Sequence, residues 1–341
     1  MFPVTVLPVT GAELRSRAAD LADGVLFPSA MAVDEADTVP ASHLDALAAA
    51  GLYGLAGPAG AGGQDAALAT FCDVIEILAG GCLSTTFVWL QHHGVVRAIA
   101  STGNERLRSG WLEPLCRGER RAGIALGGAR PGPPLLRARP VNGGYVLDGT
   151  APWVTGWNRV DAVYTLARLP DDRLVAALLP AASSEDLSAR RLRLVAVNAS
   201  WTVELSFAGY FVPDALVCSV FPLAEFLARD AEGLRPNGSL SLGIAGRCCR
   251  LIGPSPLDAE LVRRRERLDR ADPGVMPVAR AAASQFAFQA AGAAVAAAGS
   301  TGILADQDPQ RLAREALFLL VFGSRPAIKE SLTGVLLAVP R

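Results

Sequence analysis

Two histidines stand side by side, His92 and His93, in a chain of 341 residues that has only three. Imidazole titrates near neutrality, so the pair offers proton transfer or, alternatively, hydrogen-bonded structural rings. Helical neighbours point about 100° apart, and only one of the two is expected to face the interior. Asn237, Ser239 and Ser241 fall where a later helix is expected to begin. There they are either N-caps or, with free helix-terminal N–H groups, a cradle for a carbonyl or phosphate. Glu232 lies just ahead of them, where a carboxylate complements the helix dipole. Arg263, Arg264, Arg265 and Arg267 crowd one short segment and read either as phosphate partners or as a solvated face. The six cysteines, at 72, 82, 116, 218, 248 and 249, contain no CxxC. Metal-ligand spacing, GxSxG, Walker A and HExxH are all missing, so the expectation is no metal, free thiols and a reducing cytoplasm.

The elements that must position these residues change period twice. A composition of 51% hydrophobic and 19% charged residues excludes disorder, and a formal net charge of −1 gives no electrostatic case for nucleic acid. Lys329 is the sole lysine among 32 basic residues, which fits a GC-rich bacterial coding sequence. Helices are expected over 41–50, with Ser42 as N-cap and Gly51 as stop, then over 67–79, 84–101 and about 105–116. The glycine-rich link between the first two has Asp65 in the third glycine slot of a dinucleotide fingerprint and no strand before it, so it reads as a loop. From about residue 121 come short β-branched and aromatic runs split by Gly, Pro, Asn and Asp, the pattern of an antiparallel β-domain. Helical spacing returns over 240–251, 258–270, 278–299 and 310–322. The expected class is α+β, with a helical domain at 1–120, a β-domain at 121–220 and a helical bundle at 221–341. No secretory leader is read at the N-terminus. The stretch 281–305 carries no charge but consists mostly of Ala and Gly, which predicts a buried bundle helix, packed on more than one face, and no membrane partner.

The run YVLDGTAPWVTGWNRVDAVYTLAR, from Tyr145 to Arg168, resembles the β-domain hallmark of the acyl-CoA dehydrogenase family. LDALAAAGLYGLAGPAGAGG, GNERLRSGWLEPLCRGERRAGIAL, FAGYFVPDALV and RLAREALFLLVFGS resemble other family segments in the same order. The resemblance implies that fold, FAD as cofactor, an acyl-CoA or other acyl thioester as substrate, and α,β-desaturation as the reaction. It implies Trp153 and Val154 beside the flavin ring, with the Thr155 hydroxyl towards N5. Ala125-Leu126 is followed by Gly127-Gly128, which leaves backbone amides to meet the pyrimidine edge. Phe322 stands where the family commonly has its carboxylate base, and Glu232 lies within a residue or two of the alternative base position. Asn237, Ser239 and Phe322 are then candidates for contact with the substrate. The Arg-x-x-Phe-Gly and Gln-x-x-Gly-Gly stretches of the family are absent. A homodimer or homotetramer is implied, or a heteromer in which a paralogue supplies missing residues. Two alternatives stay open: a flavin-dependent monooxygenase using His92 or His93, and a homologue that binds acyl-CoA or a partner without turnover.

Overall fold

The computed structural model describes residues 9–338, apart from the side chains of Asp230 and Ala231. The stretch read as lacking a leader therefore lies mostly outside the described residues. Six helices come first: α1 Gly11–Leu21, α2 Ala30–Glu35, α3 Ala41–Ala49, α4 Leu68–Ala79, α5 Leu83–Ala100 and α6 Glu105–Arg117. Thr10 and Glu13 form a reciprocal capping box on α1, satisfying two N–H groups that the helix start leaves free. Pro40, rather than Ser42, occupies the N-cap of α3, and no side chain caps that end. Helix α5 leaves only a narrow strip at Gly94 and Arg97 exposed, and both His92 and His93 are buried. The expectation of one inward histidine fails for that reason: the solvent strip is too narrow to include either ring.

Eight strands follow: β1 Ala122–Ala125, β2 Leu136–Val141, β3 Gly144–Val154, β4 Ala162–Arg168, β5 Arg173–Pro180, β6 Leu187–Arg191, β7 Val203–Pro213 and β8 Val217–Pro222. They form one sheet in the order β6-β7-β3-β2-β4-β5-β8, with β1 on β4. The sheet is mixed rather than antiparallel, because β1 runs parallel to β4 and β2 meets β4 in parallel at Arg137 and Arg168. The β2–β3 hairpin intervenes between β1 and β4, so the chain re-enters beside β1 in the same direction. Valine, leucine and alanine of alternate positions close one face over a core that includes Leu136, Ala151, Val154 and Leu205.

The remaining helices are α7 Leu223–Ala228, α8 Asp230–Ile252, α9 Pro256–Asp269, α10 Met276–Ala298, α11 Asp308–Val321 and α12 Pro326–Leu337. Helix α8 starts ten residues before the expected 240 and carries Pro236 inside it. Asn237 and Ser239 consequently lie within the helix, not at its N-terminus, and no set of free helix-start amides exists there. Helix α10 buries one face, from Ala279 through Phe286 to Ala294, while Val278 and Phe288 stay exposed. The uncharged stretch is therefore half-covered by its own chain, not sealed in the bundle as expected. It is also the one described helix long and apolar enough to cross a membrane. The largest core joins α1, α3, α4, α5, α8, α10 and α11 around Trp89, Tyr53 and Phe286.

Candidate functional site

On the strand wall, β3 and β7 stay in register to Ala151 and Leu205, then resume at Val154 and Val203. Three steps on β3 oppose two on β7, so Pro152 and Trp153 form a bulge. Proline has no N–H to give the ladder, which makes this the natural place for it. Trp153 emerges with φ 65° and is 59% exposed. A left-handed aromatic residue costs on the order of 1–3 kcal/mol and points to a functional constraint. Val154 returns to the sheet core. Thr155 is buried as well, its hydroxyl 3.4 Å from that of Thr202, which lies 2.8 Å from Ser200. That hydroxyl is turned into the domain, not towards the surface that Trp153 faces. Gly156 follows with φ 81°, and a Cβ there would stand 3.0 Å from Val88 of α5, so the strand wall and helix wall meet at this turn.

Leu126, Gly127 and Gly128 sit differently from the expected cradle. Leu126 is half-buried against the core beneath β1. A Cβ on Gly127 would stand 2.4 Å from the Thr150 carbonyl, and one on Gly128 2.6 Å from the Arg168 amide. The Gly128 N–H already donates to the Leu166 carbonyl at 2.8 Å, so it is not free for a ligand. These glycines serve close strand packing. Arg168 fastens the loop behind them, donating to the carbonyls of Gly128 at 2.9 Å, Gly132 at 2.8 Å and Arg130.

On the helix wall, Phe322 caps the end of α11. Its half-buried ring packs edge-on to Phe87 at 5.0 Å and stacks on Phe318 at 5.6 Å. Asn237 is half-buried close by, its Nδ2 3.4 Å from where a Gly323 Cβ would be. Ser239 is buried and engaged by Arg235 at 2.7 Å, which also binds Asp269 at 2.6 Å. Glu232 stands exposed in the first turn of α8. Thus Phe322 and Asn237 are brought together, while Ser239 faces Arg235 and Glu232 faces solvent.

The histidines do not form a catalytic pair. His92 accepts from the Ala122 N–H at 3.2 Å and donates through Nε2 to the Leu115 carbonyl at 3.0 Å. It ties α5 to the end of α6 and the start of β1, and burial pushes its pKa down to about 3. Neither ring nitrogen of His93 has a hydrogen-bond partner among the described residues, nor does Trp89 Nε1. Its ring sits among Phe71, Trp89 and His92, and burial holds its pKa well below the ordinary value. Arg263 and Arg264 pair with Glu260, and Arg265 with Glu76, so this run serves as a solvated, ion-paired face. Among the described residues no group of three or more His, Cys, Asp or Glu is placed to hold a metal.

The bulge sits in a fold shared with known enzymes. The family model described as acyl-CoA dehydrogenase, N-terminal domain, matches residues 10–119. The first third of the chain thus resembles the N-terminal domain of the acyl-CoA dehydrogenase family. It is 29% identical over 203 residues to benzylmalonyl-CoA dehydrogenase of Aromatoleum aromaticum, covering 58% of this chain and 54% of that one. To the human mitochondrial short-chain specific acyl-CoA dehydrogenase it is 25% identical over 216 residues, 61% of this chain and 52% of the other. The chain thus spans about half the length of the curated relatives it matches. The structure of butyryl-CoA dehydrogenase from Megasphaera elsdenii superposes with a TM-score of 0.81 at 17% identity, covering 99% of this chain and 100% of that one, which shows the shared fold.

FAD is the cofactor that the resemblance implies, and these residues show how far it fits. An exposed aromatic face on a bulge fits a flat ring. Thr155 and Gly128 do not add donors on the same surface, because the Thr155 hydroxyl lies beside that of Thr202 and the Gly128 N–H donates to the Leu166 carbonyl. Reasoning from sequence missed Arg168, Phe87 and Arg280. The last was detectable as a lone charge four residues before Ser284, at the head of an otherwise uncharged helix.

Proposed function

We propose that this family member binds FAD against Trp153 and acts as an acyl-thioester oxidoreductase of the α,β-desaturation type, with weak or no turnover as a single chain. The strained, exposed Trp153 carries the reading: backbone cost is retained where a ligand rewards it. FAD, when bound, supplies the hydride acceptor. Trp153 walls the ring, Arg168 keeps the loop from Gly128 to Gly132 rigid, and Phe87, Phe318 and Phe322 exclude water from the helix side. The proton is the difficulty. Phe322 has no lone pair to accept one, and loss of a general base removes a factor of about 10²–10⁴. The base is then Glu232, moved in from solvent, or a group from another chain.

The second reading, a homologue that holds an acyl thioester without turnover, is favoured by the packing of Phe322 into its aromatic neighbours. Monooxygenase chemistry through His92 or His93 has less support, since both nitrogens of His92 are engaged in the scaffold and His93 is buried among Phe71, Trp89 and His92. A homodimer or homotetramer, or a pairing with a paralogue, is supported by Val278, Phe288, Ile303, Leu317 and Val321, exposed along α10, the turn after it and α11. We place the protein in the cytoplasm, with neither membrane nor nucleic acid as partner. Flavin content of the purified chain tests the reading. About one FAD per chain is expected, and a flavin-free protein that takes up none on reconstitution contradicts it.

A further inference from the structure

Among the described residues, the buried arginines are Arg168, Arg235, Arg247, Arg280 and Arg311, and all but one face a carboxylate. Arg168 has Asp172 at 3.7 Å, Arg235 has Asp269 at 2.6 Å, and Arg247 meets Asp23 at 2.5 Å. Arg311 holds Asp308 at 2.6 Å and Glu315 at 2.9 Å. Arg280 is 1% exposed and pairs with no Asp or Glu among the described residues. Its nitrogens meet only neutral groups: the hydroxyl of Ser284, that of Ser241 at 3.4 Å, and the Phe322 carbonyl at 3.5 Å. Burial lowers its pKa to about 10, which still leaves it charged at neutral pH. A buried cation without a counter-ion is costly, and the other four show how this fold ordinarily meets that cost.

The surroundings suit an anion. Ser241 comes from α8, Arg280 and Ser284 from α10, and the Phe322-Gly323 turn from the end of α11. Ser284 also donates to the Leu319 carbonyl at 2.9 Å, so the cluster is tied to that turn. Gly323 has no side chain, and a Cβ built on it would find only Asn237 Nδ2 within 4 Å, so an amide lies beside this turn. A hydrocarbon tail gains nothing from hydroxyls, an amide and a guanidinium. A carboxylate gains charge-assisted hydrogen bonds and displaces only the long contact to the Phe322 carbonyl.

We propose that Arg280 is the counter-charge for a carboxylate on the acyl group, so that the thioester this chain takes is that of a short dicarboxylic acid. The inference rests on the thioester reading above and adds the substrate class. Arg280 lies directly behind the backbone of Phe322, whose side chain stands by the substrate's α-carbon in that reading, so the second carboxylate is only a few carbons from the thioester.

Calorimetric titration of the purified full chain tests it, using succinyl- and glutaryl-CoA against valeryl- and hexanoyl-CoA. The dicarboxylic esters should bind at least about tenfold tighter than the neutral ones, as expected for a charge-assisted pair. Arg280→Met should remove that preference while leaving the neutral esters unchanged, and Arg280→Lys should keep part of it. Should Arg280→Met not fold, the wild-type comparison and Arg280→Lys still decide. Equal affinities in the wild type, or a preference that survives Arg280→Met or is untouched by Arg280→Lys, overturn the assignment of Arg280 alone. Failure of all four esters to bind overturns the thioester reading and this inference with it.

Discussion

The two walls of the site are built on opposite principles. On the strand wall an aromatic residue is held exposed, at a bulge, in a backbone conformation that bulky side chains avoid. On the helix wall Phe322, where the resemblance leads one to expect a base, folds its ring against Phe87 and Phe318, as any apolar side chain would. Packing alone explains Phe322 and does not explain Trp153. Strain survives where a function holds it, so on the proposed reading the difference separates a ligand wall that has been kept from a proton-transfer position that has been given up.

The largest effect that sharpens this contrast is expected from Phe322→Glu. Restoring a base should raise desaturation of a saturated acyl-CoA, followed with an artificial electron acceptor, by at least about 10²-fold. No gain in a flavin-loaded variant would break the account of the helix wall. Next in size is His92→Leu, which strips partners from the buried Ala122 N–H and Leu115 carbonyl. Urea unfolding should show a loss of about 2–4 kcal/mol. His93→Leu removes two unpartnered nitrogens from an apolar setting and should be neutral or stabilising. Equal losses at both positions would contradict the distinction between them.

The histidines also set a pH dependence. His92 has a folded pKa of about 3 against an ordinary value of 6.5, and His93 is shifted the same way. The unfolded chain therefore binds these protons first. Stability from keeping the rings neutral is fully present above about pH 6.5 and is lost as pH falls from there towards 3. Chemical denaturation at stepped pH should show a shallower acid loss in His93→Leu than in the wild type. The smallest effect concerns the strand wall. Trp153→Asn, a residue that tolerates the left-handed region, should stabilise the flavin-free protein by about 1 kcal/mol while weakening FAD binding. A loss on both counts would mean that Trp153 is ordinary packing.

The helix–strand–helix order was legible because hydrophobic period changes near residues 121 and 218, and because the motif from Tyr145 to Arg168 is specific. Register and direction were not. Nothing in the letters Gly127-Gly128 reveals the close strand crossing, where a Cβ on Gly127 would stand 2.4 Å from the Thr150 carbonyl. Thr155 was visible as a residue in the right strand, but its hydroxyl direction depends on Thr202, far along the chain. Asn237 and Ser239 read as lying at a helix start, yet α8 runs from Asp230 through Pro236, which makes both helix-interior residues. Both histidines are buried because neighbours cover α5 everywhere but a strip at Gly94 and Arg97, a property of those neighbours rather than of its own sequence.

The central claim is that the flavin wall is kept and the proton-accepting position is lost. Anaerobic titration of the flavin-loaded protein with butyryl-CoA, followed by visible absorption, tests it most directly. The account predicts a flavin spectrum that is perturbed at most and stays unbleached in the wild type, with bleaching gained in Phe322→Glu. Prompt bleaching of the wild-type flavin would contradict it.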